Sequence, residues 1–278
     1  MSVKAAQNEI TYGDLWDFRT GTFSSDMLKL TAMITMFIDH IGAGILEYLI
    51  VRVPLSHQTN DLLTTIDQVL RLIGRISFPL YCYLLVQGFL YTKSRIKYAR
   101  NLFLFALLSE YPFDFLFANA LDLSSLNVIF TLFIGLLTLW GIEKASSKLP
   151  LKIIIGAIGI SIAAILHTDY SWMGILLILS LYFFRKNRFY QCTISLVLFF
   201  SALVFRAAGT YGSIWQAVLS QLSSKYTLLF SFWMMYRCNN RRYLQKGKYL
   251  FYLFYPAHLF LLGLILRLIL LLLGFPIG

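Results

Sequence analysis

Apolar runs long enough to cross a bilayer recur along the chain, separated by short polar punctuation. About nine of them fall near 28–50, 69–91, 99–118, 125–143, 151–167, 171–185, 190–206, 214–236 and 249–273. The basic residues are distributed unevenly between these runs. Lys93, Arg95, Lys97 and Arg100 follow the second; Lys144, Lys148 and Lys152 follow the fourth. Arg185, Lys186 and Arg188 follow the sixth, and Arg237, Arg241, Arg242, Lys246 and Lys248 follow the eighth. The intervening segments 119–124 and 167–170 contain almost no Lys or Arg, so every basic loop falls on one side. The expected fold is therefore all-α, a polytopic helical bundle of about nine transmembrane helices with a cytoplasmic amino terminus and the carboxyl terminus outside. The expected location is the cell membrane, plasma or inner, crossed several times. Residues 1–27 read as a cytoplasmic arm, with Trp16 and Phe18 placed to touch the inner leaflet, and 28–278 as one membrane domain. The longest stretch outside the membrane after the arm is expected at 51–68, an external loop holding Pro54 and His57.

Composition strengthens the membrane reading. The chain is 58% hydrophobic and 13% charged, with mean hydropathy +0.70, whereas a soluble domain carries charge on about a quarter of its residues. A net charge of +11 would point to nucleic acid in a soluble protein; here it is the charge of the cytoplasmic loops, and no nucleic-acid partner is expected. Cys82, Cys192 and Cys238 have neither metal-ligand spacing nor an evident disulfide pattern and read as small buried hydrophobes. No metal is expected. The first 26 residues carry Asp14, Asp17 and Asp26 and lack an apolar core, so the first spanning helix is expected to act as its own insertion signal.

Against that background the intramembrane polar residues stand out, because ionisable groups in hydrocarbon are costly and face cavities or partners. Asp39 and His40 lie mid-way along the first run. Lys29 stands eleven positions before His40, three helical turns and about 16 Å away on the same helix face. Glu47 is expected two turns beyond His40 on that face as well. Arg71 and Arg75, Glu110 and Asp114, and Asn127 and Thr131 are i,i+4 pairs near the outer ends of their runs. His258 lies mid-way along the last run, one turn after Tyr255. Prolines follow or interrupt these groups, in Ser77-Phe78-Pro79 and Glu110-Tyr111-Pro112, and proline frees backbone carbonyls that can line a cavity. Each group also has a structural reading, as a contact between helices or a side chain reaching the interface. Gly42 and Gly44 read as sites of close helix packing.

The stretches 28–46, 71–89, 100–115, 127–135, 169–174 (Asp-Tyr-Ser-Trp-Met-Gly) and 255–259 (Tyr-Pro-Ala-His-Leu) resemble the TraX family, membrane proteins known for acetylating the amino terminus of conjugative pilin. That family is similar to a wider class of transmembrane acyltransferases that includes acyltransferase family three, whose first helix carries an Arg, ten intervening residues and a His. Lys29 and His40 occupy those two positions; Lys keeps the charge and loses the bidentate fork. The resemblance implies acyl transfer across the membrane from cytoplasmic acyl-CoA, acetyl-CoA above all, to an amine or hydroxyl outside. Lys29, Arg95 and Arg100 would hold the CoA phosphates. His40 would act as general base, its ring oriented by Asp39 or another carboxylate, or would carry the acyl group transiently. Arg75, Glu110, Asp114, Asn127 and His258 would orient the acceptor: a pilin-like amino terminus, an envelope glycan or a peptide.

Two other classes compete. A proton-coupled transporter of an envelope precursor would use the same buried His, Asp and Glu residues as a relay, although no duplicated half is visible in the hydropathy. A non-catalytic partner in a conjugation or envelope complex would use the intramembrane charges for subunit contacts.

Overall fold

The computed structural model describes residues 21–118, 122, 124–145, 148–241 and 248–275 of the 278. Trp16, Phe18 and the rest of 1–20, with Arg242 and Lys246, lie outside the described residues.

Ser24 opens the first helix, its hydroxyl accepting a hydrogen bond from the Met27 amide at 3.1 Å and so capping a free helix donor. Helix α1 then runs for 28 residues, Ser25–Arg52. It is α-helical to His40, π-helical over Ile41–Leu46 and α-helical again over Glu47–Arg52. Helices α2 (His57–Gly74) and α3 (Ser77–Tyr91) follow, then α4 (Arg95–Phe117), α5 (Val128–Lys144), α6 (Leu149–Ile165) and α7 (Ser171–Phe183). The chain continues through α8 (Arg188–Tyr211), α9 (Ile214–Lys225), α10 (Leu228–Tyr236) and α11 (Lys248–Leu272). Among the described residues, four stretches are long and apolar enough to cross a membrane: α1, α2 together with α3, α8, and Phe251–Leu272 of α11. The fold is thus an all-α, multi-pass membrane bundle, and α6 and α7 are shorter apolar helices within it.

Two expectations are corrected. The segment read as an external loop at 51–68 is largely helix: α2 starts at His57, where the Ser56 hydroxyl accepts from the Thr59 amide at 3.3 Å. Its polar residues masked a helical stripe of Leu62, Leu63, Ile66, Val69, Leu70 and Ile73. The span expected at 214–236 is broken at Tyr226–Thr227, whereas the one expected at 69–91 lies inside the apolar stretch His57–Tyr91 and carries a turn at Arg75–Ile76.

The two breaks meet. Thr227 donates its hydroxyl to the Leu72 carbonyl at 2.6 Å, and Ser231 donates to the Ile76 carbonyl at 3.0 Å. Ser77 closes its own break by donating to the Gly74 carbonyl at 2.9 Å. Backbone carbonyls freed inside a bilayer need such partners, and hydroxyls from a neighbouring helix supply them. A paired break is how this bundle tolerates irregular backbone deep in its interior.

Helices α3 and α7 form the centre, with Leu80, Cys82, Tyr83, Val86, Ile175, Leu177, Ile178 and Leu181 fully buried. Helix α1 packs on α2 and α3, α5 on α4, α6 and α7, and α11 on α4 and α1. Helix α6 turns Ile153, Ile154 and Ile158 outward, as a lipid-facing helix does. The described members of the basic loops gather at one end. There Arg95 pairs with Glu143 at 2.8 Å and stacks over Phe89, and Arg188 bonds to the Tyr83 hydroxyl and the Met235 carbonyl. The segment before α1 is laced to the loop after α10 at this end, through Phe23 N to Arg237 O at 3.1 Å and Asn239 N to Phe23 O at 2.8 Å.

Candidate functional site

His40 and His258, separated by 218 positions in sequence, meet across the α1–α11 contact: His40 Nδ1 lies 2.7 Å from His258 Nε2. The other nitrogen of His258, Nδ1, lies 2.7 Å from the Phe254 carbonyl oxygen. A carbonyl can only accept, so His258 Nδ1 carries hydrogen and, in the neutral ring, its Nε2 accepts. His40 Nδ1 must then be the donor, which leaves the lone pair of a neutral His40 on Nε2. One backbone carbonyl thereby sets the tautomers of both rings. The imidazole planes are within 6° of parallel, and Phe117 and Tyr255 stand edge-on to His40 at 5.7 and 6.0 Å. His258 is buried; His40 keeps partial exposure.

Asp39 does not orient the His40 ring. Consecutive helical residues point about 100° apart, and Asp39 faces α2, where Oδ2 accepts from Arg71 Nη1 at 2.6 Å. Arg71 also holds Glu47, Nε to Oε1 at 3.2 Å. Glu47 was expected to share the face of His40. The π segment inserts extra residue into the intervening turns, which rotates everything beyond it by roughly one residue's angle and brings Glu47 onto the side of Asp39. The same ridge explains Gly74: a β-carbon there would overlap the Asp39 carboxylate. Arg75, in the break after α2, lies against the Tyr170 hydroxyl and within electrostatic range of Asp39 and Asp169.

Tyr170 reaches Arg75 from the turn between α6 and α7, which carries three non-glycine residues with positive φ: His167 at 45°, Tyr170 at 60° and Ser171 at 47°. Such conformations cost about 1–3 kcal/mol each and persist where surrounding bonds over-determine them. Here Asp169 N donates to Leu126 O at 2.9 Å, Thr131 Oγ1 donates to Asp169 O, and the Tyr170 ring lies flat on Phe78, centroids 3.6 Å apart. Sequence reasoning did not assign Asp169 or Tyr170 to a site. Their signal was the 169–174 motif itself.

Glu110 and Asn127 come together between α4 and α5. Asn127 caps α5, accepting from the Ile129 amide at 3.0 Å, and its side-chain amide donates to the Ala106 carbonyl at 2.9 Å and to Glu110 Oε2. Glu110 Oε1 is buried and has no partner among the described residues. Asp114 accepts from the Asp122 amide at 3.0 Å and so braces the connection after α4. At the basic end, Lys29 pairs with Asp26 at 3.3 Å and sits over Phe251, Arg95 is matched by Glu143, and Arg100 is exposed. Of the residues named from sequence, the structure joins His40 to His258, Glu110 to Asn127, and Asp39 to Arg71, with Arg75 in electrostatic range of Asp39. Lys29, Arg95 and Arg100 lie apart from these groups, nearer the basic end.

The chain is thus a multi-pass membrane helical bundle in which two imidazoles pair between α1 and α11. The TraX protein family model matches residues 24–266, and the chain belongs to that family. It is 28% identical over 253 residues to the probable fimbrial assembly protein FimC, serogroup H1, of Dichelobacter nodosus, covering 86% of this chain and 94% of that protein. No solved structure matches significantly. Membership of the family supports a membrane function of the acyltransferase kind in general terms.

Proposed function

We propose that the protein is a multi-pass acyltransferase of the cell membrane that moves an acyl group, acetyl in the simplest case, from cytoplasmic acyl-CoA to an amine or hydroxyl on the other face. The basic end faces the cytoplasm in this reading, with the amino terminus inside, nine crossings and the carboxyl terminus outside. The observation that carries the proposal is the tautomer relay from the Phe254 carbonyl through His258 to His40, because it points a basic lone pair from His40 Nε2. As the acceptor attacks the thioester carbonyl and the C–S bond breaks, Nε2 takes the acceptor's proton and returns it to the departing thiolate, ending unchanged. If His40 itself is acylated, Nε2 attacks the thioester carbonyl and CoA leaves as thiolate; the acceptor then attacks the acyl carbon, the C–Nε2 bond breaks, and the acceptor's proton passes to the thiolate.

His258 holds the relay. Glu110, Asn127, Asp114 and Arg75 orient the acceptor in this reading, while Asp39 holds Arg71. Lys29, Arg95 and Arg100 attract the CoA phosphates, the first two by exchanging their present carboxylate partners. The pilin-like amino terminus, envelope glycan and peptide remain the candidate acceptors. The test follows free CoA released from acetyl-CoA by purified protein supplied with an envelope extract. His40→Ala should lower release by about 10²–10⁴-fold in protein that still folds, and wild-type turnover in that variant rules the role out.

A second reading is favoured by one observation: two broken spans meet at their breaks beside charged residues, as in transporters with discontinuous helices. Acetyl-CoA separates the two, because a substrate bound by the folded protein raises its melting temperature. A transporter of an envelope precursor, or a non-catalytic partner in a fimbrial or conjugation complex, would show no such shift.

A further inference from the structure

We infer that the groove between α8 and α9 is a binding site for one anionic glycerophospholipid, with an acyl chain in the groove and the headgroup phosphate on Arg206. The groove has a volume of about 710 Å³, inside the range of roughly 300–1,000 Å³ that small-molecule sites occupy. Its walls are Trp172, Phe200, Val204, Ile214 and Val218, and Trp172 closes one side edge-on against Phe205 at 6.3 Å. Such a slot accepts a hydrocarbon chain and offers little to a polar solute.

Arg206 is the cation of the site. It lines the groove, is exposed, and makes no hydrogen bond or ion pair to any described residue. It stands five residues before the end of α8 at Tyr211, about 7.5 Å along the axis, and so at headgroup depth whichever way the bundle faces. Tyr211 and Trp215, 50% and 69% exposed, mark the same level as an aromatic belt does. A guanidinium at that depth attracts anions, and a lipid phosphate is the anion that a bilayer supplies beside an apolar slot. Ser201, also on the groove, adds a hydroxyl donor. The occupant is thus specified at both ends, apolar chain and phosphate. None of these residues belongs to the machinery placed around His40.

Gly209 allows the chain and the headgroup to be tested separately. It lines the groove, and a β-carbon there would meet nothing within 4 Å, so Gly209→Leu fills the slot without touching the core and improves helix propensity. The experiment incubates purified protein with phosphatidylglycerol and phosphatidylcholine of identical chains and counts retained lipid by native mass spectrometry. Wild-type protein should keep one phospholipid, with phosphatidylglycerol favoured about tenfold. Arg206→Ala should remove that preference while leaving some uptake of both lipids, and Arg206→Gln gives the same reading should the alanine variant fold poorly. Gly209→Leu should lower uptake of both lipids by about tenfold or more. Unchanged retention in Gly209→Leu, or an intact preference in both Arg206 variants, overturns the assignment. Inorganic phosphate is the third arm: if it displaces phosphatidylglycerol completely, Arg206 holds a soluble anion and the lipid is not the ligand.

Discussion

The two faces of α1 solve the problem of polar groups in a membrane differently. On one face, His40 meets His258 through neutral hydrogen bonds, ends on a backbone carbonyl, and is surrounded by aromatic rings. On the other, Asp39 and Glu47 share Arg71, with Arg75 and Tyr170 beyond. Neutral relays leave one nitrogen uncommitted, which is what a base needs. Ion pairs commit their charges to one another, which is what two helices need if they are to cross at a glycine such as Gly74. One turn of π-helix keeps the sides apart by rotating Glu47 toward the arginine. In the proposed reading the first face carries the chemistry and the second mainly adhesion.

The largest test strikes the ionic face. Arg71→Ala leaves Asp39 largely buried without its main partner, and removing one member of such a pair destabilises by about 3–5 kcal/mol. Unfolding in detergent should show most of that loss, and adding Asp39→Asn to the same variant should restore a good part of it. If the double variant is no more stable than Arg71→Ala, the pair does not hold α1 to α2. If it melts normally yet releases no CoA, the ionic face belongs to the chemistry and the comparison fails.

Much of this division was hidden in the sequence. Helices were legible because apolar runs of the right length need no tertiary information, and the basic loops were legible as a group because their charge alternates with those runs. Asp39, His40, Glu110 and Asn127 stood out as polar residues in apolar surroundings. Which of them would meet was not legible. His258 finds His40 from 218 residues away, and Arg71 finds Asp39 only because α2 turns back along α1. The π segment leaves no periodic trace in six residues of Ile, Gly, Ala and Leu. The first two-thirds of α2 reads as loop because half its circumference is polar, and a barely buried helix satisfies water on that side. The strained turn at 167–171 was visible only as a motif, since positive φ at a tyrosine is a product of packing.

A smaller effect should come from the second imidazole. His258→Ala removes the acceptor for His40 Nδ1–H, so the ring can flip or change tautomer and Nε2 loses its fixed lone pair. Turnover is expected to fall by roughly tenfold to a hundredfold, less than for His40→Ala, because the base survives without its orientation. His258→Asn, with a carbonyl in place of Nε2, should recover part of the loss. Acid should also slow the wild-type enzyme: a proton on His40 Nε2 removes the base, and protonated His258 has hydrogen on both nitrogens and can no longer accept from His40. That acid limb should move in His258→Asn and stay put in Asp39→Asn. An unchanged pH profile in His258→Asn would return His258 to a packing role.

The mildest lever is the turn that delivers Tyr170 to the ionic face. His167 holds φ at 45° while its side chain is exposed; its carbonyl accepts from Ser125 Oγ at 3.3 Å, a bond that a substitution keeps. Left-handed backbone costs an ordinary residue about 1–2 kcal/mol, and glycine gives back roughly 0.5–1 kcal/mol of that through the freedom it adds to the unfolded chain. His167→Gly should therefore stabilise the protein by less than about 1 kcal/mol, raising the melting temperature slightly without altering CoA release. Tyr170 offers no such relief despite its φ of 60°, because glycine there would lose the stack on Phe78 and the contact with Arg75. If both glycine variants melt above the wild type, the turn is merely strained and Tyr170 does not brace Arg75. If His167→Gly alone is stabilising and Tyr170→Gly is not, the strain is the consequence of holding a tyrosine against the ionic face of α1.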